Sequence, residues 1–395
     1  MKFLILNTDY PEFLRWLYAQ HPGLENAPYE EQMRVRMKSL FGMADFYSSN
    51  LRKLGHEAWD IFANNEFMQK AWAREHGMPI EKPMLMGRRV RTILQQARRI
   101  AAKTPLRYLK PLFRPVWRSL DSQQSWFYDI LAAQIKNYKP DVLLNQAMDG
   151  INSRFMRQMK PYVQLLVGQI ASPLPQGEDF GCYDLVISSL PNFVEYFLNQ
   201  GIRSELHRLG FGTKVLEMID PKDNKTLPIS FVGNLSYAHE ERVRLLEHLC
   251  KRFDNIRIWG KGIESLPQDS PTRQHYMGQA WGKEMYQILC SSKVTLNCHG
   301  KWSGEYANNC RLYEATGVGT LLITDWKVNL HKMFEIGKEV VAYRSPEECS
   351  ELIQYYLEHD DEREAIACAG QQRTLREHTY YQRMQELVEI VRKYL

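Results

Sequence analysis

The sequence lacks the features that mark secreted, disulfide-bonded and membrane-spanning proteins. Its seven cysteines are odd in number, lie scattered over 395 residues and include no Cys-x-x-Cys pair. Thiols so placed in a long chain are typical of reduced, intracellular proteins. No run approaches the roughly 20 apolar residues of a membrane helix, and the apolar run Lys2–Asn7 suits a first strand better than a signal peptide. We therefore predict a cytoplasmic protein that can meet a membrane only at its surface.

Common catalytic and metal-binding motifs are also missing. The chain contains no Asp-x-Asp pair, which many enzymes use to hold a metal ion beside a diphosphate. It contains no His/Cys group with zinc spacing, no Gly-x-Ser-x-Gly elbow and no Walker loop. The small net charge of +5 says little about partners. These absences predict a site that needs no bound metal ion and no resident cofactor.

The length and the order of the elements predict two α/β domains. A chain of 395 residues exceeds one ordinary core, and apolar runs of strand length alternate with amphipathic helical segments, as in parallel sheets. The periodicity lapses between Gly210 and Pro228, which sets the predicted domains at 1–215 and 216–395. The predicted strands are Lys2–Asn7, His56–Phe62, Asp141–Asn145, Val163–Ile170 and Asp184–Ser188, then Ile229–Val232, Ile256–Trp259, Val294–Asn297, Thr320–Thr324 and Val340–Tyr343.

A basic segment interrupts the first domain near residues 80–120. Residues 82–120 contain eleven Lys or Arg residues and no acidic residue. In its first part apolar residues share one face at helical spacing, and Arg88, Arg89, Arg91, Arg98 and Arg99 fall mostly off that face. In its second part, up to Arg118, prolines break the pattern into turns. A basic amphipathic helix suits an anionic membrane surface or an anionic acceptor such as a lipid diphosphate. A solvated helical insertion is the plain alternative, and nucleic acid is not expected as a partner.

The stretch most informative for function is 304–319, which precedes a predicted strand. A polar, glycine-containing loop opens a helix there near Asn308 or Asn309, and the free N–H groups of a helix N-terminus suit a diphosphate. Arg311 and Glu314 are three residues apart and share one helix face. An arginine can pair with phosphate oxygens, and a carboxylate can accept bonds from ribose hydroxyls. A simple ion pair between the two is the alternative interpretation.

Three segments of the second half carry a recognisable pattern. They read NCRLYEATGVGTLLITD, EVVAYRSPEE and HDDEREAIACAGQQRTLREHTYYQRMQEL. The most specific residues in them are Asn309, Arg311, Tyr313, Glu314, Ala315 and Gly319. These segments resemble the C-terminal domain of group 1 glycosyltransferases, most closely the branch that includes the spore-maturation CgeB-like proteins. The resemblance covers about residues 229–395 and continues more weakly over residues 183–202.

The resemblance implies a GT-B fold of two Rossmann-like domains facing across a cleft, closed by C-terminal helices. It implies a nucleotide-sugar donor in the second domain, an acceptor in the first and no required metal. Glu314 takes the place of the family's ribose-binding glutamate, but Tyr306 stands where the first glutamate of its E-x7-E pair belongs. Asn234 replaces the family's phosphate-binding arginine, and His239 stands near its lysine. Arg311, Lys301 and His239 are then the predicted phosphate ligands.

Residues just after the strands of the second domain complete the predicted donor site, because ligands of such sheets bind beyond the carboxyl ends of the strands. The predicted nucleotide-sugar ligands are Gly233, Asn234, Ser236, His239, Gly260, Lys261, Tyr276, Trp281, Gly282, Asn297, His299, Asn308, Asn309, Arg311 and Glu314. For Trp281, packing in the core is an equal alternative.

An inverting transferase also needs a general base at a strand end of the first domain. Asp149 is the preferred candidate, Asp9 the second, and Glu178 or Asp179 follow; a turn or cap role is the alternative for each. A retaining enzyme needs no such base. The sequence thus predicts a glycosyltransferase acting on a glycan, lipid-linked or protein acceptor. A nucleotide-sugar epimerase and a non-catalytic nucleotide-binding protein remain the alternatives.

Overall fold

The structure is a computed structural model and describes residues 1–79, 125–220, 225–236 and 239–395. Within these residues the chain forms two parallel β-sheets flanked by α-helices. The predicted α/β class with two Rossmann-like halves is therefore confirmed. The predicted basic insertion near residues 80–120 lies outside the described residues.

The first sheet has six strands in the order β2-β1-β3-β4-β5-β6. Its strands are β1 Lys2–Asn7, β2 Glu57–Phe62, β3 Val142–Asn145, β4 Leu165–Gln169, β5 Leu185–Ser188 and β6 Ser204–Leu206. The sequence predicted the first five and missed β6. This edge strand has three residues, Ser-Glu-Leu, and only one of them is apolar. It therefore lacks the apolar run by which a strand can be recognised in the sequence.

The second sheet has five strands in the order β11-β10-β9-β7-β8. Its strands are β7 Leu227–Val232, β8 Ile256–Trp259, β9 Ser292–Asn297, β10 Leu321–Asp325 and β11 Val341–Tyr343. All five predicted strands are present, with ends that differ by at most two residues. The neighbouring strands of both sheets are parallel.

Helices connect these strands and form the C-terminal tail. In chain order they are α1 Pro11–Gln20, α2 Tyr29–Lys38, α3 Phe46–Lys53, α4 Glu66–Glu75, α5 Ser125–Tyr138, α6 Ser153–Met159, α7 Pro191–Asn199, α8 Val215–Met218, α9 Glu240–Cys250, α10 Pro271–Gln274, α11 Lys283–Cys290, α12 Cys310–Gly317, α13 Pro346–Glu358, α14 Asp360–Glu377 and α15 Tyr380–Arg392. None of these described helices combines the length and the apolar character that crossing a bilayer requires.

The strands are apolar along their length because helices cover both faces of each sheet. In β1, Phe3 and Ile5 join the core on one face, and Leu4 and Leu6 join the core on the other face. The face of Phe3 and Ile5 belongs to a core that continues into the second half of the chain. This alternation explains why the run Lys2–Asn7 could be recognised as a buried strand.

The last helix returns to the first half of the molecule. The rings of Phe46 on α3 and Tyr380 on α15 stack with centroids 5.4 Å apart. The N–H of Phe211 donates to His378, and its carbonyl accepts from Tyr380, at 2.8 and 3.0 Å. The C-terminal helices therefore close the structure, as the resemblance implied. The predicted boundary between residues 215 and 216 falls inside α8, and the division into domains stays a prediction.

Candidate functional site

Loops that follow strands of both sheets meet in one region, which we call the cleft. Lys261, after β8, holds its Nζ atom 3.4 Å from the ring centroid of Tyr10, after β1. Trp302, after β9, donates its indole N–H to the carbonyl of Ala171, after β4, at 3.0 Å. Because ligands of parallel sheets bind beyond the carboxyl ends of the strands, the cleft is the candidate site.

Arg311 and Glu314 lie on one face of α12, as their spacing predicts, and bind each other. Arg311 Nη1 is 2.7 Å from Glu314 Oε2, and the two side chains are only 12% and 13% exposed. Arg311 also donates to the carbonyl of Val232, the last residue of β7, at 2.9 Å. The pair is therefore held at a strand end and is not a solvated surface contact. Both terminal nitrogens also contact the sulfur of Met285 at 3.3 Å, so of the five N–H donors of the guanidinium the one on Nε remains for a ligand.

The loops after β7 and β8 pack backbone against backbone beside this pair. Gly260 has a φ of +147°, and a Cβ atom there would lie 1.7 Å from the carbonyl oxygen of Gly233. The N–H of Gly233 donates to Trp259 at 3.0 Å. Next to it, the side chain of Asn234 accepts from the N–H of Ser236 at 3.0 Å. These predicted ligands form a tight backbone surface that a diphosphate can approach closely.

Arg242 on α9 is a buried cation of the cleft that the sequence pattern did not single out. It donates to the carbonyl of Asn234 at 2.9 Å and to that of Cys298 at 2.6 Å, which ties the loop after β7 to the loop after β9. Its Nε atom has no hydrogen-bond partner among the described residues. Burial lowers the pKa of Arg242, but an arginine stays charged at neutral pH. The sequence analysis did not single out Arg242, because an arginine in the first turn of a helix is too common to indicate a binding site.

His239 is not the phosphate-binding cation that its position suggested. Burial, together with the charges of Arg242 and Lys261, lowers the pKa of His239 to about 4. The ring is therefore neutral at pH 7, and it packs edge-on against Trp302 with centroids 5.1 Å apart. Of the other cations, Lys261 lies in the cleft against Tyr10, and Lys301 is exposed to solvent.

The predicted asparagine ligands shape the N-terminus of α12. Asn309 caps the helix by accepting from the N–H of Leu312 at 3.3 Å, and it donates to the side chain of Asn297 at 2.6 Å. Asn297 is buried and donates to Thr324 at 2.9 Å. Asn308 lies half-buried just before the cap. The capping Asn309 and its partner Asn297 therefore position the helix N-terminus, which remains the predicted diphosphate ligand.

His299 and Asp325 form a buried pair across the ends of β9 and β10. Asp325 accepts from the Nδ1 atom of His299 at 2.6 Å and from its backbone N–H at 3.1 Å. Burial acts to raise the pKa of Asp325, but His299 and Lys327 together hold it below its usual value. The sequence singled out His299 and missed Asp325, because an aspartate at the end of a strand also reads as a turn residue.

Trp281 and Gly282 lie at a contact with the first half. A Cβ atom on Gly282, which has a φ of +50°, would lie 1.9 Å from the carbonyl oxygen of Ser39. The ring of Trp281 packs against Phe41 with centroids 5.2 Å apart. Trp281 thus packs as the core alternative predicts, and its role as a nucleotide ligand stays a prediction. The hydroxyl of Tyr276 donates to the carbonyl of Gly260, in the loop after β8, at 2.8 Å.

The carboxylate of Asp9, a candidate general base, is ion-paired with Arg36. The guanidinium binds both carboxylate oxygens, at 2.6 and 3.2 Å, and both side chains are buried. The other two candidate carboxylates of the first domain accept backbone hydrogen bonds. Glu178 accepts from the N–H of Ser153 at 2.6 Å, and Asp179 accepts from the N–H of Gly181 at 2.9 Å. The protein thus already gives each of these three carboxylates a hydrogen-bond or ion-pair partner, and their role as a base stays a prediction.

Asp149 keeps an exposed carboxylate in the turn after β3. Asp149 therefore stays the predicted base of the first half.

Uncharged polar side chains follow the strands of the first sheet, and we call them the polar edge. Asn7, Gln146, Ser189 and His207 stand at or directly after the ends of β1, β3, β5 and β6, and each has a buried side-chain atom without a hydrogen-bond partner among the described residues. Gln146 donates to Gln169, at the end of β4, at 2.8 Å. Burial lowers the pKa of His207 to about 3, so its ring is neutral. The sequence analysis missed this set because single polar residues after strands are common.

Two further sequence-based expectations concern thiols and metal ions. All seven cysteines, each within the described residues, are free, and five of them are buried. The described part of the chain holds no cluster of three or more His, Cys, Asp or Glu side chains that suits a metal ion. Metal independence itself stays a prediction.

Comparisons with known proteins agree with this fold. Residues 241–389 match the family described as glycosyl transferase-like. A glycosyltransferase from Rickettsia africae is similar in structure, with a TM-score of 0.52 and 13% identity over 100% of this chain and 98% of that chain. HepE of Anabaena, solved in complex with UDP and glucose, gives a TM-score of 0.53 and 12% identity over 100% of both chains. No curated protein is similar enough in sequence to count as a relative.

These likenesses confirm the predicted fold, and the family match covers residues 241–389 of the second half. The chain has the GT-B arrangement of two facing α/β halves, and its second half matches the glycosyl transferase-like family. At 12% and 13% identity, the structural likeness shows the fold alone. The finer assignment to the CgeB-like branch stays a prediction.

Proposed function

We propose that this GT-B chain, with its glycosyl transferase-like second half, moves a sugar from a nucleoside-diphosphate sugar to an acceptor hydroxyl. The observation that carries the proposal is the buried Arg311–Glu314 pair, held at the end of β7. It stands beside the capped N-terminus of α12 and the close contact of Gly233 with Gly260. A cation, a carboxylate and free backbone N–H groups together match the phosphates and ribose of a nucleotide.

In this proposal Glu314 accepts hydrogen bonds from the ribose hydroxyls. The diphosphate is bound by Arg311, by Lys261 and by the N-terminus of α12. Arg242, which is buried behind the loops after β7 and β9, adds positive potential. UDP is the first nucleotide to test, because HepE of Anabaena, which shares the fold, was solved with UDP and with UDP-glucose. The departing diphosphate is stabilised by these fixed charges without a required metal ion.

The acceptor binds on the first-sheet side of the cleft. Its polar edge supports an uncharged, hydroxyl-rich acceptor group, since amides, hydroxyls and neutral imidazoles pair with sugar hydroxyls without needing charge. A glycan, a lipid-linked glycan and a glycosylated protein all present such groups. If the reaction inverts the anomeric centre, Asp149 is the proposed base for the acceptor hydroxyl.

We place the protein in the cytoplasm, with the basic segment 88–118 as a proposed contact to an anionic membrane. Binding to vesicles of anionic lipid should then weaken as salt is raised, because salt screens exposed charges. Vesicle binding that ignores salt, or none at all, contradicts this part of the proposal.

The test of the proposed function is a thermal-shift screen against UDP, GDP, ADP, dTDP and CMP, followed by product analysis with the matching nucleotide sugar. We expect one nucleoside diphosphate to raise the melting temperature clearly and its sugar to yield free diphosphate plus a glycoside. A converted nucleotide sugar without release of diphosphate would indicate an epimerase. Nucleotide binding with no turnover over a broad acceptor panel would indicate a non-catalytic protein.

A further inference from the structure

Helix α11 begins where the second half of the chain docks on the first half. The N–H of Lys283, the first residue of the helix, donates to the carbonyl of Ser39 at 2.7 Å. Gly282 approaches the same carbonyl so closely that a Cβ atom on it would lie 1.9 Å from the oxygen. The start of α11 is therefore fixed by backbone contacts to the residue that follows α2.

Trp281 adds an aromatic contact to this docking. Its ring meets the ring of Phe41 edge-on with centroids 5.2 Å apart, and it lies 6.0 Å from the ring of Phe13 on α1. Trp281 is only 7% exposed, and its indole N–H has no hydrogen-bond partner among the described residues. Packing of the ring, which is what large aromatic side chains contribute to a contact, therefore holds Trp281 on the first half.

The next residues of α11 contact the pair of Arg311 and Glu314. The sulfur of Met285 lies 3.3 Å from both terminal nitrogens of Arg311. The hydroxyl of Tyr286 lies 3.5 Å from Glu314 Oε1, whereas Arg311 holds the other carboxylate oxygen, Oε2, at 2.7 Å. The two oxygens of Glu314 are therefore oriented from two different helices, α11 and α12.

The hydroxyl of Tyr286 acts as a hydrogen-bond donor to this carboxylate. Burial and the negative charge of Glu314 hold the pKa of Tyr286 well above its usual value, so the hydroxyl keeps its proton at neutral pH. The distance of 3.5 Å is longer than the about 2.7 Å of an ideal bond between a hydroxyl and an oxygen. Because such a bond weakens steeply as its geometry departs from the ideal, a small shift of α11 changes how firmly Glu314 is held.

We propose that Tyr286 positions the carboxylate of Glu314 for the ribose hydroxyls, and that the docking of Trp281 on the first half holds α11 where Tyr286 can do so. This inference rests on the proposed function and adds two positioning residues to it. Neither side chain touches the nucleotide: Trp281 acts through α11, and Tyr286 acts through Glu314. Recognition of the ribose in the second half thus depends on a contact with the first half.

The test measures, by calorimetry on the full chain, how strongly UDP is preferred over 2′-deoxy-UDP, which lacks one ribose hydroxyl. If the thermal-shift screen favours another base, its ribo- and deoxyribonucleoside diphosphates replace these two. The unmodified chain should prefer UDP by about ten- to hundredfold, the contribution of one hydrogen bond to a charged group. Tyr286→Phe removes only the hydroxyl, and Trp281→Ala removes the docked ring. Each should lower the preference by about three- to tenfold, because the carboxylate is then held less firmly.

The double variant tests whether the two residues act through the same carboxylate. Tyr286→Phe combined with Trp281→Ala should lower the preference no further than the larger of the two single changes, since residues that act in one chain of contacts are not additive. Losses that multiply would show two independent effects and would contradict the proposed link through α11.

Two conservative changes serve as controls. Trp281→Phe keeps an aromatic ring on the first half and loses only an N–H without a partner among the described residues, so it should retain the preference for UDP. Tyr356→Phe, which alters a buried tyrosine on α13, should retain it as well. Phe41→Ala removes the partner of Trp281 and should act like Trp281→Ala, which keeps the test decisive if Trp281→Ala does not fold.

An unchanged preference in Tyr286→Phe would overturn the inference. So would equal losses of affinity for the two nucleotides in Trp281→Ala or Phe41→Ala, since these would indicate a direct contact with the nucleotide or a general loss of structure. If the unmodified chain itself shows no preference for UDP, the ribose role of Glu314 in the proposed function fails and the inference fails with it.

Discussion

The carboxyl edges of the two sheets face one cleft but carry opposite chemistry. Around the second sheet, charged groups are already held by the protein: Arg311 by Glu314, His299 by Asp325, and Lys261 by the ring of Tyr10. Around the first sheet, the residues of the polar edge are uncharged, and buried atoms of them have no partner among the described residues, although the Asp9–Arg36 pair and the exposed Asp149 follow the same strands. In the proposed function, the second sheet therefore receives the anionic ligand and the polar edge receives a neutral group.

The largest expected effect is a substitution that pushes apart the loops after β7 and β8. Gly260→Ala places a Cβ atom 1.7 Å from the carbonyl oxygen of Gly233 at a φ of +147°, so we expect the free energy of unfolding to fall by more than about 3 kcal/mol. Gly278→Ala is the control, since its φ is +108° but nothing lies within 4 Å. Chemical denaturation measures both, and equal losses would show that the close contact is unimportant.

The next largest effect tests the charged edge of the second sheet at Glu314. Glu314→Ala removes the proposed ribose ligand, so nucleoside diphosphate binding should weaken by about ten- to hundredfold. Calorimetry measures it, and Glu305→Ala, an exposed glutamate in the preceding loop, should leave the affinity unchanged. An unchanged affinity in Glu314→Ala would remove this residue from the site.

The two sheets also differ in how they treat a buried carboxylate. Asp325 has a pKa held below its usual value by His299 and Lys327, despite burial. In the first sheet, burial raises the pKa of Asp60 to about 7, opposed by the Ser48 hydroxyl and nearby arginines. Between a pH of about 4, where an unfolded aspartate titrates, and about 7, folded Asp60 holds the extra proton. The contribution of Asp60 to stability therefore falls as pH rises through this window and is constant above it.

Asp60→Asn should remove this pH dependence. We expect the variant to gain about 2–3 kcal/mol relative to the unmodified chain between pH 5 and pH 8. Denaturation at the two pH values measures the difference, and subtracting the two proteins cancels the other titrating groups. Parallel stability curves would mean that Asp60 is ionised in the folded state throughout.

The smallest expected effect tests the polar edge of the first sheet at Gln146. Gln146→Ala should raise the acceptor KM by about threefold to tenfold, the loss of one neutral hydrogen bond, and leave nucleotide affinity unchanged. Gln164→Ala, just before the amino end of β4, is the control for losing a glutamine. A change in nucleotide affinity and not in acceptor KM would reverse the assignment of the two edges.

Strands and the donor helix were predictable because local sequence determines them. Buried parallel strands need continuous apolar runs, and the spacing of Arg311 and Glu314 places them on one face in any helix. The edge strand Ser204–Leu206 was not predictable, since pairing with β5 and not composition makes it a strand.

The partners of site residues could not be read from the chain. Asp9 meets Arg36 over 27 positions, and Asp325 meets His299 over 26. Whether a carboxylate is free or ion-paired depends on such distant contacts, which is why the sequence could not show the pairing of Asp9 with Arg36 and missed Asp325. The neutral state of His239 likewise follows from burial beside Arg242 and Lys261.

The most direct test of the central claim is hydrogen–deuterium exchange of the full chain with and without the nucleoside diphosphate that shifts its melting temperature most. The account predicts slower exchange in the loops after the second sheet, at residues 232–236, 259–262 and 298–312, with little change at the polar edge of the first sheet. Protection confined to the ends of β3 to β6, or none at a saturating concentration, would contradict it.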